Sequence, residues 1–119
     1  MSQRIVDIIG FKEDLGLDYD TLKDLYKVFA EELIQEREKV NSHLILHEVE
    51  IIRKSVHNIK GIASSYRAIL VFESARDLDV KLKLQDFEEL NSFVADLNKR
   101  IDEAVKELKI YFGEKQILS

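Results

Sequence analysis

The sequence predicts an all-α fold: an antiparallel up-and-down four-helix bundle with a short additional helix at its amino terminus. Three observations carry this expectation. Apolar residues recur at steps of three and four along most of the chain, with no strand-period alternation. Proline is absent and glycine occurs only 4 times, so little interrupts the helical runs. The long amphipathic stretches are separated by short connections, which place successive helices side by side and antiparallel. At 119 residues the chain reads as one domain over 1–119, with its bundle core at about 18–112.

The elements follow in order. Ile5, Ile8 and Ile9 recur at helical spacing before Gly10 and Gly16, which predicts a short first helix packed on the bundle as a lid. Asp18 or Asp20 caps the next helix, whose apolar stripe is Leu22, Leu25, Phe29, Leu33 and Val40. The charged run from Gln35 to Lys39 reads as its solvated end. A connection falls within 41–47, where Leu44, Ile45 and Leu46 could extend either neighbour. The next helix runs from about Glu48 to Tyr66. The one after it runs from about Ile69 to Leu84, on apolar positions Ala68, Val71, Phe72, Ala75, Leu78 and Leu82. Asp86 and Glu89 form a capping-box-like start to the last helix. Phe87, Leu90, Val94, Leu97, Ile101, Ala104, Leu108 and Tyr111 make its stripe, read as a bundle face in preference to a coiled-coil seam. Gly113 ends that helix and 114–119 are expected to fray.

Composition narrows the function classes. There is no cysteine, which excludes disulfides, thiol catalysis and cysteine-based metal sites. No stretch approaches the length of a membrane span, and the amino terminus has no long apolar run, so a cytoplasmic protein without membrane insertion is expected. The formal net charge of −5, with both signs interspersed, argues against a nucleic-acid footprint. Nothing in the pattern demands a dimer, and a monomer is expected.

The run from Val56 to Ser64 is the most informative segment. At about 100° per residue, Arg53, Lys54, Lys60, Gly61 and Ser64 fall on the side of His57. Val49, Ile51, Ile52, Val56, Ile59, Ile62, Ala63 and Tyr66 fall on the other. The helix therefore buries the face opposite His57 and turns the imidazole outward. Gly61 costs roughly 0.5–1 kcal/mol relative to alanine inside a helix. The apolar period continues past it, so it is not a helix stop. Its use is steric, clearing the space beside the ring. Lys60, one turn on, places positive charge where an anion on the ring would sit, and Arg53 and Lys54 extend a basic face that suits an anionic ligand or an acidic protein surface.

The stretch His57-Asn58-Ile59-Lys60-Gly61-Ile62-Ala63 resembles the signature of histidine-containing phosphotransfer (HPt) domains, and Ala68, Val71, Ala75, Leu78 and Asp79 continue the likeness. The resemblance implies a four-helix bundle in which His57 is the phosphoacceptor. Lys60 would hold the phosphoryl group, Gly61 would keep the approach open, and Asp79 would orient the imidazole from the neighbouring helix. Arg53, Lys54 and Ser64 would meet the partner. Such proteins relay phosphoryl groups between histidine kinases and the aspartates of response-regulator receiver domains. The chain would then be a carrier and not a kinase, with no cofactor of its own, the Mg²⁺ belonging to the receiver. The sequence departs from the family at Arg67, where glycine is common; a turn of different shape or a longer helix is expected there. Ser64 replaces another frequent small residue, and Asp79 is shorter than the usual glutamate or glutamine.

Two rival readings stand beside this one. The chain could be a non-catalytic helical adaptor that binds two-component signalling partners without carrying phosphate. His43 and His47, four apart with Glu48 and Glu50 nearby, could bind a metal, but they straddle a connection and lack a convergent third ligand. Surface or turn histidines explain them better.

Overall fold

A computed structural model describes residues 5–117 and shows an all-helical chain with its helices packed on one another. The elements are α1 (Ile8–Leu15), α2 (Tyr19–Ile45), α3 (Val49–Ser65), α4 (Ile69–Lys83), α5 (Leu90–Phe112) and α6 (Glu114–Ile117). The pairs α2–α3, α3–α4, α4–α5 and α2–α5 all pack together, so the four long helices close into a ring around one core. The longest dimension, 43 Å, matches the length of α2 at about 1.5 Å per residue. Among the described residues no helix is long and apolar enough to cross a membrane.

The core is made by the expected stripes. Leu22, Phe29, Leu33 and Val40 of α2 are fully buried, as are Ile52, Val56, Ile59 and Ala63 of α3. Val71, Ala75, Leu78 and Leu82 answer from α4, and Leu90, Val94, Leu97, Ile101, Ala104 and Leu108 from α5. Each run advances by three, four or seven residues, which keeps one face of the helix inward along its length. Ile51, expected on the buried face of α3, is 37% exposed because it lies at the margin of that face. Asp18 is the cap of α2, its carboxylate accepting the Thr21 backbone N–H at 2.8 Å.

The bundle end nearest α1 is closed by aromatic side chains. Tyr26, fully buried, packs edge-on against Phe11 with ring centroids 5.2 Å apart, and Phe29 lies 5.0 Å from Tyr66. The Tyr26 hydroxyl donates to the Tyr66 carbonyl at 2.9 Å, satisfying a carbonyl at the end of α3. The segment before α1 is tied to α5, because the Ile5 and Val6 N–H groups both donate to the Glu107 carboxylate, at 3.0 and 3.1 Å.

The connections differ from expectation in ways that share one cause. His47, Arg67 and Gln85 each occupy the left-handed region, at φ of 54°, 61° and 56°. Each stops a helix with a pair of backbone bonds. After α3, Arg67 N donates to Ser64 O at 3.3 Å and Ala68 N to Ala63 O at 2.8 Å. This is the Schellman arrangement that glycine usually serves. The α2–α3 connection, expected somewhere within 41–47, occupies 46–48, so Leu44 and Ile45 extend α2. At Arg67 the chain neither runs on as helix nor adopts another turn shape, contrary to the sequence expectation. The left-handed conformation is held by an Arg67–Asp14 ion pair at 2.6 Å and by the Asp7 N–H donating to the Arg67 carbonyl at 3.0 Å.

Two further expectations are corrected. The last helix begins at Leu90, not near Asp86: Glu89 is left-handed at φ 62° and makes no side-chain cap, while Asp86 accepts from Lys81 Nζ at 3.0 Å. Phe87 accordingly lies outside the helix and is 45% exposed. The expected frayed tail holds instead a turn of helix, α6, whose Ile117 is fully buried against the bundle. Leu118 and Ser119 lie outside the described residues.

Candidate functional site

His57 lies at the middle of α3 and is exposed, because Val56 and Ile59 on either side of it are fully buried and fix the rotation of the helix. Among the described residues its ring makes no hydrogen bond and no ion pair. An exposed imidazole without a partner in its own chain can act as a nucleophile and accept a substituent.

Two shallow clefts flank the ring. One, of ≈ 460 Å³, lies toward α4 and is lined by Glu50, Arg53, Lys54, His57, Asn58, Asp79 and Lys83. The other, of ≈ 320 Å³, lies toward α2 and is lined by Glu32, Gln35, Glu36, His57, Asn58, Gly61 and Ile62. His57 and Asn58 belong to both. The α4 side is rich in cations and the α2 side in carboxylates, with Lys39 donating to Glu36 at 3.2 Å on its flank.

The charge centre of the α4 side is Asp79. It is 3% exposed, and its Oδ2 accepts from Lys60 Nζ at 3.0 Å and from Lys83 Nζ at 2.9 Å. Burial by itself would raise the Asp79 carboxyl. The hydrogen bonds and charges of Lys83 and Lys60 outweigh it and hold the group below its ordinary value. Asp79 is therefore ionised at neutral pH. Two ammonium groups on one carboxylate leave the cluster with surplus positive charge beside His57.

Gly61 is exposed one turn from His57, and a Cβ built there meets nothing within 4 Å. Its missing side chain thus answers no crowding within the chain, and the open flank borders the α2-side cleft. Gly10 is a contrasting case. A Cβ there would collide with the Asp7 carboxylate that caps α1 by accepting the Gly10 N–H at 3.1 Å.

The other residues singled out by sequence are placed as follows. Lys54 is exposed beside His57 and has no ion-pair partner among the described residues. Arg53 faces the same cleft but its guanidinium is 3.4 Å from Glu50, which weakens the basic patch. Ser64 is exposed further along α3 and lines neither cleft. Asp79 does not hydrogen-bond to the imidazole. The two lysines take its carboxylate, because charged donors compete better than a neutral ring N–H. Lys60 is likewise engaged and does not stand free. His43 pairs with Glu48 at 3.2 Å, and His47 serves the turn that ends α2.

Sequence reasoning left Lys83, with Lys81, between partner surface and plain solvated charge, and did not single out Asn58. The Lys83–Asp79 pair could have been found, since the two stand four residues apart on one helix, the spacing at which opposite charges meet. Asn58 carries no such mark; only the meeting of the two clefts brings it out. No protein-family model matches the chain, and no curated protein and no solved structure is significantly similar to it.

Proposed function

We propose that the chain is a phosphorelay carrier of the histidine phosphotransfer kind, folded as an antiparallel up-and-down four-helix bundle. The observation that carries the reading is His57: an exposed, unpartnered imidazole on a rigid helix, bare on the Gly61 flank and lying beside the Lys60–Asp79–Lys83 ion cluster. The fold supports the reading as well, since a surface relay needs a rigid face and no enclosed pocket.

The chemistry follows from the ring. The lone pair of one neutral imidazole nitrogen attacks the phosphorus of a receiver phosphoaspartate and forms an N–P bond. The P–O bond to the aspartate breaks, and the carboxylate leaves with its electron pair. The ring's other N–H exchanges with solvent. The reverse step passes the group on. Lys60 and the wider cationic cleft offset the charge of the phosphoryl group, worth about −1.5 to −2 near neutral pH for a phosphate ester. Gly61 lets the partner's surface come close. The receiver brings the Mg²⁺ and the carboxylates that hold it, so the carrier needs no cofactor and acts as no enzyme by itself. A cytoplasmic monomer meeting a histidine kinase and a receiver domain through a transient interface fits this role. Arg53 and Lys54 on the cleft, and Ser64 beyond Gly61, are the residues for that interface.

The test is transfer from a panel of phosphorylated receivers and kinases, read by intact mass at neutral pH, with wild type and His57→Gln side by side. An acid-labile phosphoryl adduct on wild type alone supports the relay. Binding of a donor without any adduct points to the adaptor reading.

A further inference from the structure

We infer that Lys83 is a mobile counter-ion, moving from Asp79 to the phosphoryl group on His57 while Lys60 stays on Asp79. The inference rests on the phosphotransfer reading and deepens it.

Three observations distinguish the lysines. Lys60 joins α3 to α4 through Asp79 and is 24% exposed, whereas Lys83 meets Asp79 from the same helix and is 54% exposed. The α4-side cleft is lined by His57, Asp79 and Lys83, and Lys60 is not among its walls. Both ammonium groups share one oxygen, Asp79 Oδ2, so the departure of either leaves the carboxylate paired. Lys83 can therefore leave without stranding a buried charge, and its flexible stem opens onto the cleft that holds the imidazole.

The phosphoryl group supplies the reason to move. It brings more negative charge than a carboxylate and three acceptor oxygens. An exposed ion pair within one helix is weak and is readily exchanged for a stronger one. Asp79 is then a positioning residue acting through the lysines: it stores Lys83 beside the site and keeps Lys60 fixed. This differs from the role the family resemblance suggests, in which the acid would orient the ring.

Phosphoramidate, a small phosphoryl donor, tests this on the full chain without any partner. The imidazole nitrogen forms the N–P bond, the donor P–N bond breaks, and ammonia leaves with a proton from solvent. Adduct formation is followed by intact mass, and the Lys60 and Lys83 Nζ resonances by ¹⁵N NMR, assigned with Lys60→Arg and Lys83→Arg. Lys83→Gln, on an exposed side chain, is expected to slow phosphorylation about three- to tenfold, the effect of one partly solvated charge-assisted hydrogen bond. Lys83→Arg is expected to recover most of the rate. The Lys83 resonance shifts on phosphorylation while that of Lys60 holds. Asp79→Asn is expected to speed phosphorylation, because it releases Lys83. A slower Asp79→Asn protein that retains its fold by circular dichroism assigns Asp79 to the ring and overturns the inference. An unchanged Lys83→Gln rate, or a shift confined to Lys60, overturns it too and leaves the phosphotransfer reading intact. No adduct on His57 from phosphoramidate or from any receiver removes both.

Discussion

Lys60 Nζ on α3 lies 3.0 Å from Asp79 Oδ2 on α4, and this one bond both staples two helices and charges the surface beside His57. The carboxylate is 3% exposed, so removing its charge uncovers a cost that a surface pair would not have. Asp79→Asn is expected to lower stability by about 1–3 kcal/mol, the range for a buried charged hydrogen bond left without its partner. Urea unfolding at neutral pH measures it.

The same pair predicts a pH dependence. The folded Asp79 carboxyl lies below its ordinary value of 3.8, although burial acts in the opposite sense. A group depressed in the folded state adds stability that is full above the unfolded value. That stability is lost as pH falls through the lower folded one. Wild type should therefore lose stability more steeply than Asp79→Asn on acidification below about pH 4. Parallel slopes in denaturant titrations across that window would rule this contribution out.

Tyr26 makes the opposite prediction at the alkaline end. Burial chiefly pushes its phenol well above the ordinary value of 10.0, with Asp7 adding to the effect. A raised folded value gives stability that is full below the unfolded value and lost as pH climbs toward the folded one. Tyr26→Phe removes this dependence above about pH 10. At neutral pH it also strips the Tyr66 carbonyl of its donor, for a cost of about 1–2 kcal/mol. Thermal melts of the two proteins at neutral and alkaline pH check both parts.

These pairings show where sequence reasoning reached and where it stopped. The stripes of α2, α3, α4 and α5 were legible because burial repeats every three to four residues, and the outward rotation of His57 followed from the same period. The turns were not. Left-handed stops are signalled by glycine or asparagine, yet His47, Arg67 and Gln85 hold them here, so the signal was silent. Asp86 and Glu89 misled for a related reason. A capping-box spacing is local, whereas the Lys81–Asp86 bond that prevents it crosses the turn from the preceding helix. Ile117 was hidden behind Gly113, since one buried residue in a four-residue helix shows no period. At the site, position found His57 and Gly61, but not that Asp79 would be shared by two lysines. The four-residue step from Asp79 to Lys83 marked one of those pairs, whereas the Lys60 bond, made from another helix, left no mark in the sequence.

Arg67 gives a prediction with two opposed parts. Glycine there would relieve a left-handed backbone that costs an L-residue roughly 1–2 kcal/mol, but would lose the ion pair to Asp14, worth about 0–1 kcal/mol. Alanine would lose the ion pair and keep the strain. Arg67→Gly is therefore expected to be more stable than Arg67→Ala by about 1 kcal/mol, and close to or above wild type. Equal stabilities for the two variants would mean that the turn relaxes out of the left-handed region. Equilibrium urea unfolding of the three proteins decides this.

Gly61 separates stability from function most sharply. Its position inside α3 disfavours the folded state relative to alanine, and a Cβ there meets nothing within 4 Å, so the chain itself gives no reason for glycine. Gly61→Ala should consequently stabilise the protein by about 0.5–1 kcal/mol, seen as a higher melting temperature. If the open flank serves a docking partner, a larger side chain such as Gln at this position should be stable as well, yet slow transfer from a phosphorylated receiver more than alanine does. Phosphoramidate, which brings no bulky surface, should phosphorylate all three proteins at similar rates. The contrast between the two donors is the informative quantity, because it divides steric exclusion of a partner from damage to the imidazole. Uniform slowing with both donors would place the effect at His57 itself, and no slowing with either would leave the glycine without a role in the relay.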